Sequence, residues 1–170
     1  MVTTDNLEEI FDIVDACDRV IGQATRGECN TNPALIHRAV FILIYNDRNE
    51  VLWQKRSLTK DTAPGQWVTS ASGHVNAGDD YEETARREVT EELGIDVPLE
   101  FAGKFFYRYR KENEFSAVFR GRSNGPFHFN RDEISAVRFM TVAEILKKDK
   151  EKELKLSRAA HNIIDSLSLY

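Results

Sequence analysis

"GHVNAGDDYEETARREVTEELGI", Gly73 to Ile95, gathers carboxylates that a helix brings one turn apart, where like charges repel. Gly78 and Asp79 mark the entrance of a helix that runs through Leu93. Its first turn carries acids at the positive end of the helix dipole, and Gly94 is its stop. At about 100° of rotation per residue, Glu88, Glu91 and Glu92 share an arc of roughly 100°, and Val89 and Leu93 lie just beyond it. One flank of the acidic arc is therefore a packing face, and the carboxylates border the core. A solvated face is the ordinary explanation of an acidic helix. Here, however, acids at i, i+3 and i+4 destabilise one another without a counter-charge, and their hard oxygens suit Mg²⁺ or Mn²⁺. Arg87 stands beside them to fix one carboxylate, and Gly73, lacking a side chain, permits close approach of backbone and substrate.

The flanking sequence supplies the rest of the fold. "AVFILIY" reads as a buried strand, "NDRN" as a turn and "VLWQK" as a second strand, together a hairpin. The loop "RSLTKDTAPGQW" follows, broken by Pro64 and Gly65, and "RVIGQATRGE" near the N-terminus reads as an extended piece with a glycine turn. Further strands are expected at "KFFYRYR", "FSAVFRGR" and "ISAVRFM". "TVAE" from Thr141 has capping-box spacing, and a last helix over Glu151 to Leu167 sets Ala160, Ile163, Ile164 and Leu167 on one face. Strands and helices intermix without strict alternation, which predicts an α/β fold with a mixed sheet and helices packed on it.

Composition narrows the partners. A chain of 170 residues without a linker is expected to form one domain spanning 1–170. A net charge of −5 argues against a grip on nucleic acid polymer, which needs a basic face. The apolar run Ala39–Tyr45 is too short to span a bilayer, and "MVTTDNLEEIFDIVD" lacks the features of a secretory signal. A cytoplasmic protein with no membrane partner is expected, with Cys17 and Cys29 as free thiols.

The acidic segment resembles the Nudix box, G-x5-E-x7-R-E-U-x-E-E-x-G-U, where U is a bulky aliphatic residue. Gly73 fills the first position, Arg87-Glu88-Val89 the R-E-U, Glu91-Glu92 the paired acids and Gly94-Ile95 the ending, with Asp79 in place of the first Glu. The resemblance implies an α/β/α sandwich around a central mixed sheet and metal-dependent hydrolysis of a diphosphate linked to another group. Glu91 and Glu92 are then metal ligands with the Gly73 carbonyl, Glu88 orients or deprotonates the attacking water, and Arg87 keeps the carboxylates in register. Exchanging the roles of Glu88 and Glu91 fits the sequence equally well.

"HRAVFILIYN", "RSLTKDTAPGQW", "SGHVNAGD" and "ENEFSAVFRGR" resemble the branch that includes isopentenyl diphosphate isomerase. That likeness implies metal ligands at His37, His74, Glu112 and Glu114, and a diphosphate-binding pair at Arg56 and Lys60. Glu112 and Glu114, two apart, face the same side of a strand. Trp67 beside the loop either stacks on a base or packs. The isomerase protonates its substrate with a cysteine just before the box glycine. This chain has Ser72 there, a far weaker acid. The expectation is a Mg²⁺-dependent (or Mn²⁺-dependent) Nudix hydrolase acting on a small-molecule diphosphate, of the nucleoside diphosphate class, as a monomer or homodimer. An isomerase-like enzyme is the second reading and a non-catalytic ligand-binding module the third.

Overall fold

Alternate residues of Ile36–Tyr45 feed two apolar clusters on opposite faces of one strand. Ala39, Phe41 and Leu43 join Trp53, Ile145 and Ile163, while Val40, Ile42 and Ile44 join Val89, Leu93 and Ile134. A strand covered on both faces shows an unbroken apolar run instead of alternation, which is why "AVFILIY" is legible. The structure, a computed structural model, describes residues 5–169. In chain order the elements are β1 (Ile10–Val14), β2 (Val20–Thr25), the short α1 (Arg26–Cys29), β3 (Ile36–Tyr45), β4 (Val51–Arg56), β5 (Trp67–Val68), β6 (Ala71–His74), α2 (Tyr81–Leu93), β7 (Glu100–Arg108), β8 (Asn113–Arg122), β9 (Ile134–Met140), α3 (Val142–Lys150) and α4 (Arg158–Ser166).

The sheet is mixed. β3 runs parallel to β8, from Ile36 opposite Asn113 to Tyr45 opposite Arg122, and β8 continues antiparallel to β7. β6 pairs antiparallel with β3, while β4 pairs antiparallel with β9 and β5. α2 covers one face through Ala85, Val89 and Leu93; α3 and α4 cover the other through Ile145, Ala160, Ile163 and Ile164. The outcome is the expected α/β/α sandwich. Gly94 ends α2 at φ 66°, and the capping box at Thr141 and Glu144 opens α3.

Two expectations need correction. The hairpin closes over a single register pair, Tyr45 opposite Val51, after which β4 leaves for β9 and β5. Into the gap goes the buried Ser70: its hydroxyl accepts from the Ile44 amide at 2.7 Å and donates to the Leu52 carbonyl at 2.6 Å. The last helix begins at Arg158, not at Glu151, because Lys152 takes φ 61° and Ser157 caps the helix by accepting from the Ala160 amide. The acid-rich start, to which the sequence pattern assigns no element, is also a strand. β1 pairs with β2, buries Phe11 and Ile13 with Cys29, and docks on the β6–α2 loop, where the Ala77 amide donates to the Ile10 carbonyl at 2.9 Å.

Ser70→Ala removes the bridge between the diverging strands and leaves a buried amide and a buried carbonyl unpaired. The expected loss of stability is about 1–3 kcal/mol by denaturant unfolding, against a change of about 0.5 kcal/mol or less for the exposed hydroxyl of Ser135.

Candidate active site

Packing of Val89 and Leu93 into the core fixes the rotation of α2, and that rotation turns Glu88, Glu91 and Glu92 toward a cleft of about 1050 Å³. Asp80 caps the helix by accepting from the Glu83 amide. The opposite rim comes from the sheet. The β3–β6 register sets Gly73 opposite Val40 and His74 opposite Ala39, so both emerge beside the helix. The glycine has a sharper role than general permissiveness: a Cβ there would lie 2.3 Å from the Glu88 carboxyl carbon. Any side chain at Gly73 displaces Glu88.

Arg87 bridges two acids, donating to Asp79 at 2.7 Å and to Glu88 at 3.5 Å. Asp79, the departure from the box pattern, thereby anchors the arginine that holds Glu88. Glu92 is 4 % exposed and accepts from the Gln54 amide group at 2.8 Å and from the Ser72 backbone at 3.3 Å. Burial and the neighbouring Glu88 push the Glu92 carboxyl up to about 8. Burial also raises Glu88, to about 7, against the opposing pull of Arg87.

A second group reaches the same cleft through His74, Glu112 and Glu114. The ligand atoms of His37, His74 and Glu112 lie within 4.8 Å of one another, the only such convergence of three acid, histidine or cysteine side chains among the described residues. The parallel register of β3 and β8 places His37 opposite Glu114, with His37 Nε2 3.8 Å from a Glu114 oxygen. The Ser116 hydroxyl donates to Glu114 at 2.7 Å, and burial raises that carboxyl to about 7. Phe11 stacks on both imidazoles, with ring centroids 5.5 Å from His37 and 4.9 Å from His74. His37 is fully buried, and neither ring nitrogen has a hydrogen-bond partner. Burial and the charge of Arg26 hold it near 4, so it is a neutral base with an unused lone pair. Orphaned imidazole nitrogens beside carboxyls that keep their protons for want of a cation are a donor set that fits a divalent metal.

Of the predicted substrate contacts, Arg56 and Lys60 line the cleft. Arg56 donates to the Thr62 carbonyl at 2.8 Å; Lys60 pairs with Asp5 at 2.5 Å and Glu133 at 3.2 Å. Trp67 does not join them. It is 9 % exposed within the α3–α4 core, because β5 pairs with β4 and turns the indole inward, which corrects its assignment as a substrate contact. Sequence reasoning also missed Arg26, which is tied to Asp5, Glu9 and Asp61 and lines the cleft. Nothing in "TRGE" distinguishes it from a surface cation.

The raised carboxyls dictate a pH dependence. Glu88 and Glu92 hold protons in the folded chain that they lose near 4.5 when unfolded, so the metal-free protein loses stability as pH rises from 4.5 through about 8. Thermal unfolding without metal is expected at a lower midpoint at pH 8.5 than at pH 5.5. Excess Mg²⁺ reverses the drop, and Glu92→Gln reduces it; a midpoint flat with pH contradicts the assignment. Gly73→Ala is expected to lower any metal-dependent turnover by about 100-fold or more by displacing Glu88.

The NUDIX domain family model matches residues 35–160. A Nudix hydrolase of Pseudomonas aeruginosa, itself described as uncharacterized, is 39 % identical over 133 residues, covering 78 % of this chain and 78 % of the relative. Isopentenyl-diphosphate Delta-isomerase 2 of Photorhabdus laumondii is 31 % identical over 144 residues, covering 82 % of this chain and 81 % of that protein. Among solved structures, DR0079 of Deinococcus radiodurans superposes with a TM-score of 0.80 at 26 % identity, covering 91 % of this chain and 97 % of that one. The chain belongs to the Nudix family of hydrolases acting on pyrophosphates.

Proposed function

We propose that the protein is a Mg²⁺- or Mn²⁺-dependent hydrolase that cleaves the pyrophosphate bond of a nucleoside diphosphate derivative. The observation that carries this reading is the convergence on one cleft of the α2 acids, of His74, Glu112 and Glu114 beside the buried His37, and of Arg56 and Lys60. A divalent ion bound there supplies charge neutralisation on the non-bridging oxygens and lowers the pKa of water. Glu91, Glu92 and the Gly73 carbonyl are assigned to hold it, with His37, His74, Glu112 and Glu114 as a second donor set.

Glu88 or Glu91 takes the proton of the attacking water. The position of Glu88 near 7 supports it as the base, since a base works best when its pKa lies close to the working pH. Arg87 acts as a positioning residue through Glu88. Arg56 and Lys60 bind the diphosphate. The cleft volume of about 1050 Å³ exceeds what a diphosphate fills, which supports a substrate carrying a nucleoside-sized group. Ser72 opposes the isomerase reading, because a serine hydroxyl does not protonate an alkene at neutral pH.

The test incubates the protein with Mg²⁺ and a panel of nucleoside diphosphate derivatives and isoprenoid diphosphates, following released phosphate or nucleotide. Release is expected from the nucleoside compounds, reduced by about 10²–10⁴-fold in Glu92→Gln. Alkene isomerisation without release would overturn the hydrolase reading, and tight binding without either reaction would mark a ligand-binding module.

A further inference from the structure

One wall of the cleft has no part in that scheme. Ser157, Arg158 and Ala159 line it, at the start of α4. The helix is held at both ends: at its start the Ser157 amide donates to the Trp67 carbonyl at 2.8 Å, and at its far end the Tyr107 hydroxyl donates to Ser166 at 2.9 Å. The guanidinium of Arg158 lies 5.7 Å above the Tyr109 ring, and Tyr109 borders the cleft as well.

Helix energetics oppose a cation at this position. The first turn of α4 contains no acid, and Arg158 occupies its positive dipole end, where a negative charge is the stabilising one. Of the other cations lining the cleft, Arg26 pairs with Asp5, Glu9 and Asp61, Lys60 with Asp5 and Glu133, and Arg87 with Asp79 and Glu88, while Arg56 donates to the Thr62 carbonyl and Arg131 lies over the Phe129 ring. Among the described residues, Arg158 makes no ion pair, and its side chain is exposed. A guanidinium without a carboxylate, set against the helix dipole, contributes little to the fold. Steadied by a cation–π contact with the Tyr109 ring, it has no carboxylate partner for its N–H groups, which suit phosphate oxygens.

We propose that Arg158 is a specificity-determining residue that takes a phosphate group of the substrate, the one turned away from the α2 acids. The proposal rests on the pyrophosphohydrolase reading. Both the guanidinium edge and the helix end favour an anion, so the loss on removing Arg158 grows with the charge of that phosphate. Substrates ending in a free phosphate depend on it more than diphosphates esterified at both ends.

The experiment compares wild type, R158Q and R158K with Mg²⁺ and nucleoside diphosphate substrates at several NaCl concentrations, together with calorimetric binding of inorganic pyrophosphate. R158Q is expected to raise KM by about tenfold or more with kcat within about twofold and the thermal midpoint unchanged; R158K restores part of the loss. The salt dependence of KM becomes shallower in R158Q as one ionic contact is lost. An unchanged KM in R158Q, or a fall in activity that tracks a fall in the thermal midpoint, overturns the proposal while the functional reading stands. If wild type turns over no diphosphate, the functional reading fails, and pyrophosphate affinity decides: weaker binding to R158Q supports the role of Arg158, and equal binding overturns it.

Discussion

Carboxylates at the border of an apolar core are expensive to keep charged, and the molecule is arranged around that cost. Val89 and Leu93 must pack, so Glu88 and Glu92 are carried into partial or full burial with them. The two acids take different partners. Glu92 goes to Gln54 and the Ser72 backbone, Glu88 goes to Arg87 and the space that Gly73 leaves open. Their raised protonation is the same conflict expressed in solution chemistry. The hydrogen bonds from Gln54, the Ser72 backbone and Arg87 are what offset the burial of these carboxyls.

The sheet provides the second condition. Had β3 and β4 stayed paired beyond Tyr45 and Val51, a flat hairpin would fill the place of the cleft. Their divergence, bridged by Ser70, lets β6 pair with β3 and brings Gly73 and His74 beside α2. The parallel partner β8 lays Glu114 opposite His37 from the other side. Two groups of metal-type donors thus meet because one central strand has different partners on its two edges.

The legible and illegible parts differ in the range of the interactions that decide them. α2, its stop at Gly94, the capping box at Thr141 and the strand β3 are set by neighbours within a few residues, and local pattern revealed them. The acid arc was legible because helical rotation converts spacing directly into direction. The splayed hairpin was not, since whether "VLWQK" pairs with β3 or with β9 depends on a strand about eighty residues away. Trp67 misled for the same reason: a loop tryptophan beside two cations looks like a ligand contact until the short β5 pairing turns it into the core. The start of α4 was misplaced because Lys152 takes a left-handed conformation that its side chain does not announce.

The N-terminal hairpin lies before the residues that the family model matches and sets the surroundings of two histidines within them. The family match begins at residue 35, yet Phe11 of β1 stacks on both His37 and His74, and Arg26 of α1 stands close enough to disfavour their protonation. A solvated imidazole titrates near 6.5 and is partly cationic at neutral pH, a state that repels a metal. Covered by the phenylalanine, His37 falls to about 4 and keeps its lone pair throughout the neutral range. The cover and the nearby cation thus act together, one excluding water and the other opposing a second positive charge. The two histidines lie within the matched residues 35–160, while the residues that cover them and disfavour their protonation lie before that span.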